Sequence, residues 1–518
     1  MDADQLQEYG LIGCFHTCCM MKGEEMAVVT RRLEEVDDEE DDIVEEFEGI
    51  TYLELQNSVQ NVACQLYYRH GVRRGDKVLI YCGAGGNVGA EIVSIFACIS
   101  LGVPFVPIVN YTEGTLLQDI VDDASPQAAI VLAAKDSDDI VQALAKQNIY
   151  RCVLITMDGS LTPVEAVSTD IPDELPTAYP WSSLSCQLAS NSNYDEVHCA
   201  PLYIMYTSGS SGKPKGVLGS HHALLNRLSW QYTRFSFEYN EVVIRRTPLS
   251  FIDSIVEIIG SVLGLVPIYA PPFEVITNYG IYGLIDACND IGVTRITLLP
   301  TQLDLLFKLQ VSHTAEELHH RWSSLKYVVV SGSPCSLSLV KEFKKMLPFA
   351  YLINLYGSTE VAGDVLYAVL CVPDDADIAD SAEDGVFTNI IGDEIPIGIP
   401  MSNTVVYVRG LDDEVLVTDD AEGVLLCGGA HVAFGYNDTS LNGKFLLSNP
   451  YDPSNELNQR LFYTGDMVAK SSENGAFYWK GRAGNSLTYS LTHSLTYLLT
   501  YSLTYSSRLA SKNTRAAG

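Results

Sequence analysis

The sequence Tyr206-Thr-Ser-Gly-Ser-Ser-Gly-Lys-Pro-Lys-Gly-Val217 decides how the rest of the chain is interpreted. It follows a short apolar segment, residues 202–206, that is typical of a β-strand ending in a loop. Glycine lets the backbone approach an anion closely, hydroxyl groups donate hydrogen bonds to phosphate oxygens, and lysine supplies positive charge. The residue types of this loop therefore predict a site that binds a polyphosphate.

Two other interpretations of the loop fit the sequence less well. A Walker A loop requires Gly-Lys-Ser/Thr after a longer spacer, whereas Gly209 closely precedes Gly212 and Pro214 stands where the hydroxyl should be. A flexible Gly/Ser surface loop would need neither the proline nor the two lysines.

The composition favours a large, acidic, globular protein. The 518 residues are enough for more than one domain, and 47% of them are hydrophobic. The net charge of −33 argues against nucleic acid or an anionic membrane as a general partner. No membrane span or signal peptide is predicted, because apolar segments are interrupted and the N-terminus lacks a basic region. Thirteen scattered cysteines favour reduced thiols and a cytoplasmic location.

Residues 1–48 are predicted to be an acidic, partly disordered segment outside the main domain. Cys14-Phe-His-Thr-Cys-Cys19 could be a set of metal ligands, but its spacing fits no standard zinc pattern. A helix with free thiols is the favoured interpretation. Residues 34–48 are mostly Asp and Glu, which favours a solvated loop over an acidic interaction segment.

From residue 49 onwards, segments typical of strands alternate with helical segments. An amphipathic helix is predicted from Thr51 towards Tyr68, and strands are predicted over residues 77–82, 105–109 and 128–132. This alternation predicts a parallel, doubly wound sheet, and the sequence after residue 394 is β-rich. The predicted fold class is therefore α/β, with two sheet subdomains, a smaller β-rich subdomain and the 203–217 loop at their junction.

Thr207–Gly216 resembles the signature loop of the AMP-forming adenylate synthetases, which include acyl-CoA synthetases, luciferases and peptide-synthetase adenylation domains. Three later motifs follow in the family's order: Asn354-Leu-Tyr-Gly-Ser-Thr-Glu360, Tyr463-Thr-Gly-Asp466 and Trp479-Lys-Gly-Arg482. The resemblance covers residues 50–482 and implies an AMP-binding core domain over residues 49–485.

A narrower likeness points to the plant acyl-activating enzymes related to the β-alanine-activating enzyme. It is carried by residues 225–230, 250–254 and 355–364. The resemblance implies ATP-dependent activation of a carboxylic or amino acid to an acyl-adenylate. In intact relatives the acyl group is then transferred to a thiol, either of CoA or of the phosphopantetheine of a carrier protein.

The resemblance and the chemistry of the residues together imply a nucleotide site for ATP and Mg²⁺. Lys213, Lys215 and the loop hydroxyls would hold the β- and γ-phosphates, and Glu360 would hold Mg²⁺. Asp466 would accept hydrogen bonds from both ribose hydroxyls, and Arg482 would contact ribose or phosphate. The predicted catalytic residues are Thr207, Lys213, Lys215 and Glu360. The predicted nucleotide contacts are Thr207, Ser208, Gly209, Ser210, Ser211, Gly212, Lys213, Gly332, Ser333, Pro334, Asn354, Tyr356, Gly357, Thr359, Asp466 and Arg482.

The resemblance also implies an acyl pocket that includes His221, Phe251 and Asp253. His221 could equally be a helix-capping or core histidine. Amino-acid-activating relatives have a Phe-Asp pair whose carboxylate binds the substrate amine, whereas this chain has Phe251-Ile252 with Asp253 one residue later. One residue rotates a helical position by about 100°. Asp253 would therefore miss the amine, or would bind an amine farther from the carboxylate, so an amino acid and a plain carboxylic acid both remain open.

The sequence departs from the family after Arg482. Gly484 stands at the hinge position, and residues 486–501 repeat Ser, Leu, Thr and Tyr. We expect residues 486–518 to be a low-complexity tail in place of the C-terminal lid that carries a catalytic lysine, and turnover to be impaired. The alternatives are a functional repeat tail, an incorrect gene model, and a non-catalytic nucleotide-binding remnant.

Overall fold

The computed structural model describes residues 3–31, 47–83, 88–109, 115–132, 137–149, 151–155, 161–163, 200–208, 213–271, 284–285, 288–309, 315–374, 376, 384–388, 390, 393–410, 415–416, 420, 422–446, 449–452 and 460–483. Its strands are β1 (Met26–Arg31), β2 (Phe47–Thr51), β3 (Val78–Cys82), β4 (Phe105–Val109), β5 (Ala128–Leu132), β6 (Cys152–Ile155), β7 (Leu161–Pro163), β8 (Pro201–Ser208), β9 (Pro214–Ser220), β10 (Val243–Ile244), β11 (Ile268–Tyr269), β12 (Arg295–Leu298), β13 (Tyr327–Val330), β14 (Tyr351–Tyr356), β15 (Leu366–Cys371), β16 (Pro396–Pro400), β17 (Thr404–Arg409), β18 (Val415–Leu416), β19 (Glu422–Gly429), β20 (Phe445–Leu446), β21 (Leu461–Lys470) and β22 (Phe477–Arg482). Its helices are α1 (Ala3–Lys22), α2 (Tyr52–Cys64), α3 (Val88–Leu101), α4 (Thr115–Ala124), α5 (Ser137–Lys146), α6 (His221–Arg234), α7 (Asp253–Leu263), α8 (Pro300–Leu309), α9 (Ala315–Arg321) and α10 (Leu337–Met346).

The smaller sheet has the strand order β7-β6-β5-β3-β4-β8-β9 within the described residues. Strands β6, β5, β3, β4 and β8 are parallel, and β7 and β9 pair antiparallel at the two edges. Strands β3 and β5 are buried along their whole length, as expected for a sheet covered on both faces. The predicted doubly wound sheet is thus confirmed.

The larger sheet begins with a mostly parallel part, in which β11, β10, β12, β13 and β14 run in the same direction. Strand β15 pairs antiparallel with β14 and with β16, and β16 pairs with β22. The β-rich part, β16–β22, is therefore joined to the parallel part edge to edge. This arrangement confirms the predicted α/β class with a smaller β-rich portion.

Residues 3–31 belong to the folded core, on the N-terminal side of the boundary predicted near residue 49. Cys14, Phe15 and Cys18 of α1 are fully buried, and the Phe15 ring stacks on Phe96 of α3 with 4.2 Å between centroids. Strand β1 pairs with β11 and β2. The predicted helix with buried thiols is confirmed, and its apolar face explains why it packs onto the core.

The predicted helix after Thr51 is also confirmed. Thr51 caps α2 by accepting a hydrogen bond from the backbone amide of Glu54, and the Glu54 side chain accepts one from the Thr51 amide. This reciprocal pair fixes the start of the helix. Within the described residues, none of the helices is both long and apolar enough to cross a membrane.

The hairpin formed by β8 and β9 contacts the β-rich part. The backbone amide of Asn437 donates to the carbonyl of Gly216, and that of Leu218 donates to Gly435. The Asn437 side chain also accepts a hydrogen bond of 3.2 Å from Lys77 Nζ, just before β3. These contacts place the hairpin at the junction of the two sheets.

Candidate active site

Strands β8 and β9 carry the predicted phosphate loop. Thr207 lies opposite Lys215, and Tyr206 lies opposite Gly216. A β-carbon on Gly216 would lie 2.9 Å from the Tyr206 ring, so a larger residue would clash there. Lys213 is exposed and Lys215 is half-buried. Gly209, Ser210, Ser211, Gly212 and the side chain of Ser208 lie outside the described residues.

Glu360 lies directly after β14, in the 3₁₀ turn Thr359–Val361. Its Oε1 accepts a hydrogen bond of 2.7 Å from the hydroxyl of Tyr436. Burial and the nearby Glu360 charge raise the pKa of Tyr436, so the hydroxyl remains a donor. Lys215 Nζ lies 5.8 Å from the centre of the Tyr436 ring. Mg²⁺ in nucleotide sites is commonly held by one or two carboxylates plus phosphate oxygens, and Glu360 fits that donor set.

Asp466 of β21 is held by three side chains. Its Oδ2 accepts a hydrogen bond of 2.7 Å from the Tyr356 hydroxyl, and its Oδ1 accepts one of 3.1 Å from Trp479 Nε1. Arg482 Nε lies 3.1 Å from the same Oδ1. A carboxylate has about four acceptor positions, so Asp466 keeps capacity for a further donor, chiefly on Oδ2.

Lys444 lies near Gly465, the residue before Asp466. A β-carbon built on Gly465 would lie 3.9 Å from Lys444 Nζ and 3.6 Å from Arg482 Nη1. Partial burial lowers the pKa of Lys444; Glu360 and Asp466 act in the opposite direction, whereas Arg482 and Lys215 lower it further. We call these five residues the charged cluster: Lys215, Glu360, Lys444, Asp466 and Arg482.

The turn after β13 and the end of β14 supply the other predicted nucleotide contacts. Gly332 has a φ of 78°, a conformation that favours glycine, and the Ser333 hydroxyl is buried without a hydrogen-bond partner among the described residues. Asn354 is buried, and its side-chain amide donates to the carbonyl of Pro396 at 3.0 Å. Asn354 therefore anchors β14 to β16, and its nucleotide contact stays a prediction. Pro334 is exposed, and Gly357 precedes the turn that contains Glu360.

A cavity of about 70 Å³ lies between α6, α7 and the sheet strands. Its lining includes Arg227, Trp230, Asp253, Val256, Tyr327 and Asp364. Arg227 binds Asp364 Oδ2 through Nε at 3.1 Å and through Nη2 at 3.0 Å. The other oxygen, Asp364 Oδ1, is buried without a hydrogen-bond partner among the described residues. We call this feature the acidic cavity.

Burial governs the protonation of the acidic cavity. It raises the pKa of Asp253 to about 8, with further contributions in the same direction from Asp364 and Glu257 and an opposing one from Arg227. Burial also raises the pKa of Asp364, against the effect of Arg227. Two carboxyl groups thus share one guanidinium, and the cavity favours a ligand that donates hydrogen bonds or carries positive charge.

The structure separates the three predicted acyl-pocket residues. Asp253 begins α7 and lines the acidic cavity, and its role in an acyl pocket stays a prediction. Phe251 is 47% exposed and is not part of the cavity lining, because it precedes the helix and points to the surface. His221 is buried at the start of α6, directly after the capping residue Ser220, and does not line the cavity either.

Sequence analysis predicted no functional role for Lys444, Tyr436 or Arg227. Arg227 and Asp364 are 137 residues apart, so no local sequence pattern predicts that they pair. Of the two, Asp364 could have been noticed, because it is the last residue of the segment Leu355–Asp364, which contains the Glu360 motif.

Comparison with known proteins is consistent with this geometry. A family model described as "AMP-binding enzyme" matches residues 30–437. The solved structure of IdnL1 superposes with a TM-score of 0.68 at 20% identity, covering 93% of this chain and 84% of IdnL1. CmiS6 superposes with a TM-score of 0.67 at 18% identity, covering 91% of this chain and 97% of CmiS6. These two likenesses concern the fold.

Two curated relatives are similar in sequence. Vanchrobactin synthetase VabF of Vibrio anguillarum is 28% identical over 429 residues, which cover 82% of this chain and 13% of VabF. The beta-alanyl-bioamine nonribosomal peptide synthetase ebony of Drosophila melanogaster is 34% identical over 286 residues, covering 54% of this chain and 30% of ebony. This chain thus spans less than a third of either relative. The match to the family model extends over most of the chain, and the chain belongs to the AMP-binding enzyme family of adenylate-forming enzymes.

Proposed function

We propose that this protein activates an amino acid with ATP. A carboxylate oxygen of the substrate attacks the α-phosphorus, a new P–O bond forms, and the bond to the leaving pyrophosphate breaks. The products are an aminoacyl-adenylate and pyrophosphate. The proposal rests on the charged cluster, whose residues come together from distant segments of the chain. The motif that contains Glu360 connects this cluster to the acidic cavity, because its flanking residues Leu355 and Asp364 line that cavity.

Positioning and neutralisation of charge account for most of the chemistry in this proposal. Asp466 accepts a ribose hydroxyl, and Lys215 binds phosphate oxygens. Glu360 would hold Mg²⁺, which when bound neutralises phosphate charge. The cavity, roughly the size of a few water molecules, suits a small acid better than a long acyl chain.

The acidic cavity supports a substrate that carries an amine. Asp253 and Asp364 face one Arg227, so an ammonium group would complete the charge balance and would provide a donor for the carboxylate oxygens. A plain carboxylic acid would leave the Asp364 Oδ1 atom buried without a partner, which costs about 1–3 kcal/mol.

We further propose that the amine lies one carbon farther from the carboxylate than in an α-amino acid, as in β-alanine. Asp253 follows the Phe251-Ile252 pair by one residue, which moves the carboxyl group by about 1.5 Å along the helix and about 100° around it. The name of the relative ebony describes that protein as a beta-alanyl-bioamine nonribosomal peptide synthetase.

Pyrophosphate exchange with three acids of matched length tests the proposal. We expect exchange with β-alanine to exceed that with α-alanine and propionate, and Asp253→Asn to remove the preference. Asp304→Asn, which alters an exposed ion pair with Lys308, is the control. Exchange that is equal for all three acids would refute the amine assignment. Nucleotide binding without exchange would refute the activity itself.

We also propose that the acyl group is passed to a thiol, since the two relatives are named as a vanchrobactin synthetase and a nonribosomal peptide synthetase. Thioester formation should be measured with CoA, with free pantetheine and with a phosphopantetheinylated carrier protein. Release of free acid at the same rate with and without each thiol would refute this step.

A further inference from the structure

Lys444 is an exposed lysine in an acidic protein. The chain has 65 Asp and Glu residues against 32 Lys and Arg residues. Some exposed lysines pair with carboxylates, as Lys326 does with Glu238 and Lys480 with Glu394. In the part of the chain that the structure describes, Lys444 makes no such ion pair, although Glu360 and Asp466 act on its charge.

The carboxylates around Lys444 are already engaged by other groups. Glu360 accepts the Tyr436 hydroxyl, and Asp466 accepts from Tyr356 and Trp479 and contacts Arg482. The Lys444 ammonium group and the Arg482 guanidinium both point toward Gly465, since a β-carbon built there would lie 3.9 Å from Lys444 Nζ and 3.6 Å from Arg482 Nη1. Two cations directed at the same place favour an anion there.

The turn that carries Lys444 is held by the backbone of Tyr436, the residue whose side chain binds Glu360. Lys444 ends the 3₁₀ turn Thr439–Lys444. Within that turn, Asn442 Oδ1 accepts a hydrogen bond of 2.7 Å from the backbone amide of Tyr436, whose hydroxyl binds Glu360. The position of the lysine is therefore coupled to that of the proposed metal ligand.

We propose that Lys444 is a catalytic residue that binds the α-phosphate of the nucleotide from within the core domain. This inference rests on the proposed function. The α-phosphate is attached to the ribose and precedes the metal-bound phosphates, so it belongs between Asp466 and Glu360. Lys444 Nζ lies near Gly465, the residue directly before Asp466. Negative charge on its oxygens increases as the carboxylate attacks, and a preorganised ammonium group stabilises that charge.

Three variants test this inference: Lys444→Ala, Lys444→Arg and the control Lys480→Ala, which removes the same charge from β22. Each is measured for pyrophosphate exchange and for binding of ATP, AMP and adenosine. We expect Lys444→Ala to lower kcat by about 10²–10³-fold and to weaken AMP binding by about tenfold, with adenosine binding unchanged. Lys444→Arg should recover most of both, and Lys480→Ala should match the wild type.

Equal kcat and AMP affinity in Lys444→Ala and Lys480→Ala would overturn the inference. A parallel loss of adenosine and AMP binding would also overturn it, because that pattern indicates a structural role. Failure of the wild type to bind ATP would instead reject the proposed function, and this inference with it.

Discussion

The charged cluster and the acidic cavity differ in how far their charged side chains are exposed to solvent. In the charged cluster, Arg482 and Lys444 are exposed, and the side chains come from segments spread over more than half of the chain. In the acidic cavity, Arg227 and Asp364 are buried and depend on each other. Exposed charges can be removed with little effect on folding, whereas buried charges cannot. Mutations in the first region should therefore change binding, and mutations in the second should also change stability.

The largest expected effect follows from Arg227→Met in the acidic cavity. The change leaves Asp364 and Asp253 buried without a cation, and we expect the free energy of unfolding to fall by about 3–5 kcal/mol near neutral pH. Urea denaturation measures the loss. The double variant Arg227→Met/Asp364→Leu should recover much of it, because the uncompensated charge is gone. A single variant as stable as the wild type would show that the pair is not important for folding.

Asp466→Ala tests the charged cluster at the ribose position. We expect ATP and AMP to bind more weakly by about 1.5–3 kcal/mol for each hydrogen bond lost, since both nucleotides contain ribose. Asp466 is buried and accepts from Tyr356 and Trp479, so the urea midpoint should also fall; at the exposed Lys444 it should stay near the wild-type value, which is the contrast with Arg227→Met. If 2′-deoxy-ATP binds the wild type as tightly as ATP does, the ribose assignment is wrong.

Glu360→Gln separates metal binding from nucleotide binding in the charged cluster. The amide keeps the shape and can still accept from Tyr436, but it loses the charge that a divalent ion requires. We expect ATP affinity in the presence of Mg²⁺ to fall about tenfold, while metal-free AMP binding stays the same. Titration with and without Mg²⁺ gives both values, and an unchanged Mg²⁺ dependence would count against Glu360 as the ligand.

The contrast between the regions also explains which site residues could be predicted from the sequence. Glu360 and Asp466 sit in short, ordered motifs whose chemistry is local, and both influence the pKa of Lys444. The Arg227–Asp364 pair depends on how α6 packs against the segment between β14 and β15, and no local sequence pattern predicts that packing. The Asn354 amide donates to Pro396 and joins β14 to β16, a structural role that its motif does not indicate.

The prediction of the smallest effect concerns the pH dependence of substrate binding in the acidic cavity. Burial and the neighbouring carboxyl groups raise the pKa of Asp253 to about 8, so below that pH the group is mostly neutral. An ammonium substrate binds the ionised form, and its affinity should therefore rise with pH up to about 8 and then level off. From pH 7 to pH 9 the ionised fraction grows about tenfold, which sets the size of the effect at about 1.4 kcal/mol.

The measurement is the KM for β-alanine in pyrophosphate exchange from pH 6 to pH 9, with propionate as the matched acid that lacks the amine. Propionate should show no such rise in affinity, and Asp253→Asn should remove it for β-alanine. The pH dependence of substrate affinity has the opposite sign to that of protein stability. Folding raises the pKa of the Asp253 carboxyl group, and the protein therefore becomes less stable as pH rises from about 4 to 8. Substrate affinity that falls over that range would mean that the neutral Asp253 binds the substrate, and the amine assignment would have to move to Asp364.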